Sequence, residues 1–451
     1  MKFTIKAERN ANDKRVFFYD NTLNRLEDEH GQVLGQLSEE RRASPAAAFD
    51  VNEPLKKSKL VKVLKIQLGL SCNYSCTYCS QRFVERADET NVKDVTRFVG
   101  FLDSLDLREE NGLKIEFWGG EPLVYIKTLQ PLVAALNERF EGWKKAPVYS
   151  IITNGSLLTR EINDWLVLNG FHVGISHDGP GQHVRGPDPL NDPATKAAIL
   201  NLYKRLNPTR RISFNAMLNV KNTSRAEIQK FFIELTGDPN VVIGEGGLVD
   251  AYDEGGLEML RMDEAQHYAF RRQAFNDIYS AGESNIGFFG IISKMQHFAQ
   301  SLMEQVPSET LAQKCGMDDE HVLAVDLRGN VVTCQNVSAV AKAPNGQNHR
   351  SGHITKMDEV RVKTSTHWSK RPHCAGCPVL HLCQGSCMYL EGERWDVSCA
   401  GAYSDAVVLF ALVIELLTGY IPYEIVSEDQ TFPAMRRDIW GTASLATAQG
   451  A

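Results

Sequence analysis

The stretch SCNYSCTYCSQ places Cys72, Cys76 and Cys79 within eight residues of one another. A structural zinc ion needs four ligands in a closed tetrahedron, and the histidines that follow this stretch begin only at His172. Three thiolates can instead hold three irons of a cubic iron–sulfur cluster and leave the fourth iron open to a substrate or cofactor. The Cys-x3-Cys-x2-Cys spacing therefore favours a cluster that takes part in chemistry over a structural zinc site.

A second set of cysteines lies in the last third of the chain. The chain has ten cysteines, and its N-terminus, MKFTIKAERN, lacks the apolar core of a secretion signal. In the reducing cytosol cysteines serve metal or redox chemistry rather than disulfides. Seven cysteines cannot close two four-thiolate zinc sites without borrowing a histidine such as His373 or His381, so a pair of zinc ribbons is the weaker interpretation. The seven are Cys315, Cys334, Cys374, Cys377, Cys383, Cys387 and Cys399.

Alternating strand and helix patterns begin at residue 62 and position the first cysteines. Strands are expected at 62–69, 113–119, 148–153, 171–176, 211–220 and 241–247, with helical stretches between them. Six such units predict an α/β fold, a partial (β/α)6 barrel, because the eight-unit barrel needs more chain. Active sites of these barrels lie at the C-terminal ends of the strands, so the first cysteines are expected at the barrel mouth.

The first cysteine motif, with Tyr78 just before its last cysteine, resembles the signature of the radical S-adenosylmethionine (SAM) enzymes. The resemblance implies that the open iron binds the amino and carboxylate groups of SAM. One electron then cleaves SAM to a 5′-deoxyadenosyl radical, which abstracts a hydrogen atom from the substrate.

Loops at later strand ends resemble the SAM contacts of the same family. They are WGGEP at 118–122, TNGSLL at 153–158, GISHDGP at 174–180 and IGEGG at 243–247. Taken alone, WGGEP also reads as a turn, Asp178 as an Asx turn, and Arg185 as a solvated loop arginine. The SAM contacts that the resemblance implies are Tyr78, Gly119, Gly120, Glu121, Pro122, Ser176, Asp178, Arg185 and Gly244.

The second cysteine set resembles the SPASM extension, which carries two auxiliary iron–sulfur clusters in enzymes that modify peptides and proteins. The resemblance implies a SPASM domain and three [4Fe–4S] clusters in all. One iron of the inner cluster lacks a cysteine, and its ligand is a side chain such as His321, Asp318 or Asp319, a water, or the substrate. The implied ligands are Cys374, Cys377, Cys383 and Cys399 for the outer cluster, and Cys315, Cys334 and Cys387 for the inner one.

The favoured function is a radical SAM peptide maturase, an oxidoreductase that installs a carbon–carbon or thioether crosslink in a ribosomally made precursor peptide. In sulfatase-maturating enzymes the cysteine of a Gly-x4-Cys pattern is followed by an aspartate, which is the proposed base. The corresponding cysteine here is Cys334, and the residue after it is Gln335. An anaerobic sulfatase-maturating (formylglycine-forming) enzyme is the alternative. A non-catalytic iron–sulfur electron carrier is another, but it does not account for the WGGEP and GISHDGP loops. The resemblance implies an electron donor such as flavodoxin or ferredoxin.

The pattern of the chain predicts five segments. Residues 1–60 form a strand-rich accessory segment, followed by the barrel at 61–262, a helical bridge at 263–314, the SPASM domain at 315–402, and a C-terminal helix and tail at 403–451. The first segment either pairs with a leader peptide by strand addition or covers the barrel bottom. Residues 427–451, polar and rich in small side chains, are expected to be loosely ordered.

Composition excludes two classes of partner. The net charge is −7, and no Lys/Arg stripe interleaves with aromatic residues, so a nucleic-acid interface is not expected. The longest apolar run, residues 406–417, is interrupted by Glu415 and is too short to span a bilayer. We therefore expect no membrane association and a cytoplasmic location.

Overall fold

A computed structural model describes residues 1–35, 56–87, 90–245, 247–281, 287–343, 346–362, 364, 366–427 and 434–441. Residues 36–55 of the predicted accessory segment, part of the IGEGG loop and most of the expected C-terminal tail lie outside these residues. The described chain forms two sheets, one of nine strands and one of four.

Six parallel strands form the partial barrel that the pattern predicts. They occur in the order β4-β5-β6-β7-β8-β9 within the larger sheet. Alternate residues, such as Ile115 and Phe117, are buried under the surrounding helices, whereas Lys114, Glu116 and Trp118 face an inner cavity of about 690 Å³. The strands are β4 (Val63–Gln67), β5 (Lys114–Trp118), β6 (Val148–Thr153), β7 (His172–Ser176), β8 (Ile212–Asn215) and β9 (Ile243–Glu245).

Helices follow the strands and cover the outside of the barrel. Three of them begin where Thr159, Asp192 and Ser224 accept a hydrogen bond from a first-turn N–H, as N-cap residues do. The helices of the chain are α1 (Lys93–Phe101), α2 (Ile126–Arg139), α3 (Arg160–Leu168), α4 (Pro193–Leu206), α5 (Arg225–Thr236), α6 (Glu254–Leu260), α7 (Glu264–Ala281), α8 (Phe289–Glu304), α9 (Leu380–Cys383), α10 (Gly392–Thr418) and α11 (Ala434–Arg437).

The cysteine-rich region extends the barrel sheet at its first strand. Strand β10 (Val322–Asp326) pairs in parallel with β4, and β11 (Asn330–Val332) and β12 (Arg350–His353) continue the sheet in antiparallel fashion. Because β10 lies directly beside β4, the residues that follow it are brought next to the loop that carries Cys72 to Cys79. The sequence pattern did not predict this pairing.

The N-terminal segment forms the second sheet together with a C-terminal strand. Strands β1 (Lys2–Asn10), β2 (Asp13–Asp20) and β3 (Arg25–Glu27) form a meander, and β13 (Ile421–Ser427) pairs with the free side of β1. The outer strands of this sheet also carry bridges, from Glu27 to Val33 and from Glu424 to Asp438. Leader binding by strand addition therefore stays a prediction, and both sides of β1 are already occupied.

The C-terminal region differs from the expected pattern at two places. Helix α10 has 27 residues and continues across the expected boundary at 402. It is long and apolar enough to cross a membrane, but 78% of its most apolar 18-residue window is buried inside the protein, as in a core helix. Residues 434–441 were expected to be loosely ordered, yet Ile439 and Trp440 are buried and the Trp440 indole donates to Pro422 O at 2.7 Å.

Candidate active site

The loop with the first three cysteines follows β4 and is fixed by the end of β5. Gly120 N donates to Gly69 O at 3.1 Å, and Glu121 N donates to Ser71 O at 3.0 Å. A Cβ atom at Gly120 would lie 2.4 Å from Ser71 O, closer than any side chain tolerates. The WGGEP loop thus needs glycine at 120 because the backbone of the cysteine loop approaches it.

Glu121 holds the ends of β5 and β6 together. Its carboxylate is buried and accepts hydrogen bonds from Leu123 N at 3.0 Å, Thr153 Oγ1 at 2.7 Å and Asn154 N at 2.7 Å. Burial nevertheless raises the pKa of this carboxyl group. Its side chain therefore positions the two strand ends, and both carboxylate oxygens have partners within the protein.

Tyr78, Asp178 and Arg185 form a hydrogen-bonded group beside Cys76. The Tyr78 hydroxyl donates to Asp178, and Arg185 Nη1 lies 2.9 Å from the Tyr78 hydroxyl and 3.4 Å from Asp178 Oδ1. Burial disfavours the Arg185 cation, but the neighbouring Tyr78 and Asp178 raise its pKa overall, so the guanidinium stays charged. Asp178 is fully buried and also accepts from Met217 N at 3.0 Å.

A cavity of about 350 Å³ lies at the C-terminal ends of the strands, beside the first cysteines. Three residues predicted as SAM contacts do not line it: Pro122, the buried Asp178, and Gly244, which faces the inner barrel cavity instead. Among the residues expected at this site, those that line the cavity are Cys72, Cys76, Cys79, Tyr78, Gly119, Gly120, Glu121, Ser176 and Arg185.

The other seven cysteines gather into two groups. The Cys334 thiol lies near enough to the Cys315 thiol for their charges to interact, and the Cys387 thiol interacts with Cys334 in the same way. The remaining four interact mutually and lie in and around α9 and α10. They are Cys374, Cys377, Cys383 and Cys399.

The cysteine loops have features suited to iron–sulfur clusters. At seven cysteines the backbone N–H two residues downstream points at the sulfur, for example Tyr74 N to Cys72 Sγ at 3.3 Å and Asn336 N to Cys334 Sγ at 3.4 Å. Such hydrogen bonds to sulfur stabilise thiolates and tune clusters. Within the described part of the chain, no three His, Cys, Asp or Glu side chains are placed to hold a single metal ion.

Burial affects most of these thiols in the same direction. It raises the pKa of Cys76 and Cys334 to about 11, and that of Cys377 and Cys387 to about 12. Metal binding needs the deprotonated thiolate, so iron must displace protons from these groups as it binds. The donor set, ten cysteines in groups of three, three and four, fits cubic clusters.

A larger cavity, of about 1080 Å³, adjoins the first and is lined by Cys315, Cys334 and Cys387. The two cavities share a wall that includes Cys79, Asp250 and Tyr252. Tyr252 and Cys387 also line the larger cavity together. The two cavities are therefore neighbours, one beside the first cysteine group and the other beside the inner group.

Sequence analysis missed Asp250 and Tyr252. Both follow β9, the last strand of the barrel, and the IGEGG motif drew attention only to the residues before them. Their position after a strand end was the signal that could have identified them, because strand ends supply the active sites of such barrels.

The side chains proposed as a fourth ligand at the inner group have other partners. His321 Nδ1 lies 2.8 Å from Leu60 O, Asp318 Oδ2 accepts from Gln313 N at 2.8 Å, and Asp319 Oδ1 accepts from His321 N at 2.8 Å. None of these three described side chains lines the larger cavity.

The outer cysteine group is enclosed by both ends of the chain. The Asn21 side chain, after β2, donates to Ala375 O and Cys377 O, each at 2.9 Å. From the other end, Arg436 Nη2 donates to Cys399 Sγ at 3.1 Å. The N-terminal sheet and α11 thus hold the loop and helix that carry these four cysteines.

Comparison with known proteins identifies the relatives of this chain. No family model matches it. The radical SAM cyclopropyl synthase TigE of Paramaledivibacter caminithermalis is 23% identical over 173 residues, which are 35% of this chain and 36% of that protein. The cysteine-type anaerobic sulfatase-maturating enzyme of Clostridium perfringens is 24% identical over 349 residues, which are 72% of this chain and 88% of that protein.

A solved structure has the same fold. Native anSMEcpe with bound AdoMet and the Cp18Cys peptide superimposes with a TM-score of 0.55 and 19% identity, covering 79% of this chain and 99% of that one. The expected fold class is thereby confirmed. The chain is similar in sequence to a radical SAM cyclopropyl synthase and to an anaerobic sulfatase-maturating enzyme, and it has the fold of the latter.

Proposed function

We propose that this protein is a radical SAM peptide maturase that abstracts a hydrogen atom from a ribosomally made precursor peptide and installs a carbon–carbon or thioether crosslink. The observation that carries the proposal is the pair of adjoining cavities. The 350 Å³ cavity beside Cys72, Cys76 and Cys79 shares the lining residues Cys79, Asp250 and Tyr252 with a 1080 Å³ cavity that reaches the inner cysteine group. The second cavity is large enough for several residues of a peptide.

Side chains of the smaller cavity have the chemistry to hold SAM. Cys72, Cys76 and Cys79 would bind three irons of a cluster. The charged Arg185 guanidinium, held by Tyr78 and Asp178, suits a carboxylate, and Ser176 offers a hydroxyl at the end of β7. When bound, the cluster and SAM supply the 5′-deoxyadenosyl radical, and the auxiliary clusters serve as one-electron carriers.

The inner and outer groups would hold auxiliary clusters through three and four cysteines, respectively. Buried side chains, backbone N–H groups aimed at sulfur and the enclosure by Asn21 and Arg436 all support this assignment. We also propose flavodoxin or ferredoxin as the electron donor, because such clusters are reduced by small redox proteins.

The first experiment tests for radical SAM chemistry itself. Anaerobic, reconstituted and reduced protein is expected to contain about 12 iron atoms per chain and to convert SAM to 5′-deoxyadenosine. Replacing Cys72, Cys76 and Cys79 with alanine should remove about a third of the iron and all 5′-deoxyadenosine formation. Cleavage by the triple variant at the wild-type rate would overturn the proposal, and absence of cleavage by both would favour a non-catalytic electron carrier.

A sulfatase-maturating activity is the second candidate, because the relative that covers most of this chain has that function. Gln335 argues against it, since a side-chain amide cannot accept a proton at neutral pH. The chemistries are separated by mass spectrometry of two probes: peptides encoded by short reading frames beside the gene, and the Cp18Cys peptide. A crosslinked peptide loses two hydrogen atoms and keeps its sulfur, whereas formylglycine formation removes the cysteine sulfur.

A further inference from the structure

The wall shared by the two cavities holds a carboxylate that is available for proton transfer. Among the described residues that line the smaller cavity, only Glu121 and Asp250 are acidic. Both oxygens of Glu121 accept hydrogen bonds from the ends of β5 and β6. Asp250 accepts one hydrogen bond, from Ser386 Oγ to Oδ1 at 2.9 Å, and is only partly buried.

The backbone on both sides of Asp250 is firmly placed. Ala251 N donates to Ser398 Oγ at 2.9 Å, and Val249 N donates to Leu218 O at 3.0 Å. Ser386 has a left-handed backbone, with a φ of 55°, which is uncommon for a residue other than glycine. Strained backbone of this kind is frequent at functional sites, and here it aims the serine hydroxyl at Asp250.

Asp250 also lies close to the inner cysteine group. Asp250, Tyr252 and Cys387 line the same larger cavity. Ser386, whose hydroxyl donates to Asp250, directly precedes Cys387 in the chain. Asp250 can accept a proton, and the inner cysteines would hold a cluster that can accept one electron. Both therefore lie at one wall of the larger cavity.

We infer that Asp250 is the general base of the crosslinking reaction, an inference that rests on the proposed function. A peptide C–H bond first gives its hydrogen atom to the 5′-deoxyadenosyl radical. The resulting carbon radical bonds to an atom of a second peptide residue, and the C–H or S–H bond of that atom breaks. Its proton goes to the Asp250 carboxylate, and the one surplus electron goes to an acceptor of the iron–sulfur class.

Asp250 takes over the role for which the sulfatase-maturating pattern uses the residue after the Gly-x4-Cys cysteine. That residue is Gln335 here, and it lines the same large cavity. Gln335, after β11, and Asp250, after β9, line this cavity together with the inner cysteine group.

The test uses the Asp250→Asn variant of the full chain, which keeps the shape of the side chain but cannot accept a proton. The probe is the peptide that the wild-type protein converts, labelled with deuterium at the abstracted position. We expect deuterium to enter 5′-deoxyadenosine as in the wild type, while kcat for crosslinked product falls by roughly 100-fold or more. Asp250→Glu should recover part of the product, and Ser386→Ala should lower it less than Asp250→Asn.

A matched control is Asp277→Asn, which makes the same change in another carboxylate that accepts a serine hydrogen bond, from Ser224 Oγ at 3.1 Å, and that lines neither cavity. Iron content and the inner cluster's electron paramagnetic resonance signal should match the wild type in all variants, which separates base loss from cluster loss. Equal product formation by Asp250→Asn overturns the assignment while leaving the proposed function standing. Failure of the wild type to convert any peptide instead overturns the proposed function.

Discussion

At the scale of single residues, Asp178 shows that a site residue need not face the cavity it serves. It is fully buried, and it accepts hydrogen bonds from the Tyr78 hydroxyl and the Met217 backbone N–H. Through Tyr78 and Arg185 it holds two side chains that do line the cavity. Under the proposed function, Asp178 would act on SAM only through these two side chains.

We expect Asp178→Asn to weaken SAM binding by roughly tenfold or more without loss of iron. The reason is that hydrogen bonds to a charged group contribute about 1.5–3 kcal/mol, and the variant replaces the charged acceptor of Tyr78 and Arg185 with a neutral amide. Equilibrium binding of labelled SAM to reconstituted protein measures the change. The matched control is Asp238→Asn, which makes the same change in a carboxylate that accepts from Tyr203 at 2.8 Å and lines neither cavity. Unchanged affinity in Asp178→Asn would show that the hydrogen-bonded group does not position the SAM contacts.

At the scale of secondary-structure elements, the last short helix has an electrostatic role. Helix α11 is held in place by the residues after it, since Trp440 is buried and its indole donates to Pro422 O. This placement directs Arg436 to the Cys399 sulfur at 3.1 Å and over the Tyr403 ring at 5.1 Å from its centroid. A positive charge and an N–H donor thus lie beside the outer cysteine group.

Arg436→Gln is expected to lower the reduction potential of the outer cluster. The added electron makes the cluster more negative, so a nearby cation and a hydrogen bond to sulfur favour the reduced form. A shift of roughly 60 mV corresponds to a tenfold change for one electron. Redox titration followed by electron paramagnetic resonance, in a chain with alanine at positions 72, 76 and 79, measures it. Arg436→Lys should shift the potential less, and an unchanged potential in Arg436→Gln would contradict the role.

At the scale of the whole molecule, α7 and α10 join the barrel to the cysteine-rich region through a buried polar contact. His267 Nδ1 lies 2.9 Å from Ser404 Oγ, which also accepts from Arg271 Nε at 3.1 Å. Burial and the nearby Arg271 cation lower the pKa of His267 to about 4. The imidazole is therefore neutral in the folded protein at neutral pH.

The free energy of unfolding should fall as the pH is lowered from about 6.5 towards 4. In this range the unfolded chain binds a proton at His267 and the folded chain does not, so acid favours unfolding, by at most about 3 kcal/mol from this group. Denaturant unfolding at several pH values measures the slope. His267→Gln should reduce it, and the control His297→Gln, at an exposed position on α8, should not. Identical slopes in wild type and His267→Gln would contradict the assignment.

The sequence by itself determined the local parts of this protein. Cys72, Cys76 and Cys79 lie within one loop, so their spacing alone indicated an open-iron cluster. The six barrel strands were also predicted near their observed positions. A short apolar run between two helical patterns indicates a buried strand, and this signal lies within the segment itself. The strand expected at 211–220 was shorter, Ile212–Asn215, since the residues beyond it leave the sheet.

Only the tertiary structure decided which distant residues meet. Pairing of β10 with β4 brings the inner cysteines beside the first group, and β9 delivers Asp250 to the wall between the two cavities. Arg436 reaches Cys399 because α11 folds back on α10. Such contacts depend on how whole elements pack. The periodicity and spacing of residues within one segment do not specify which other segment packs against it.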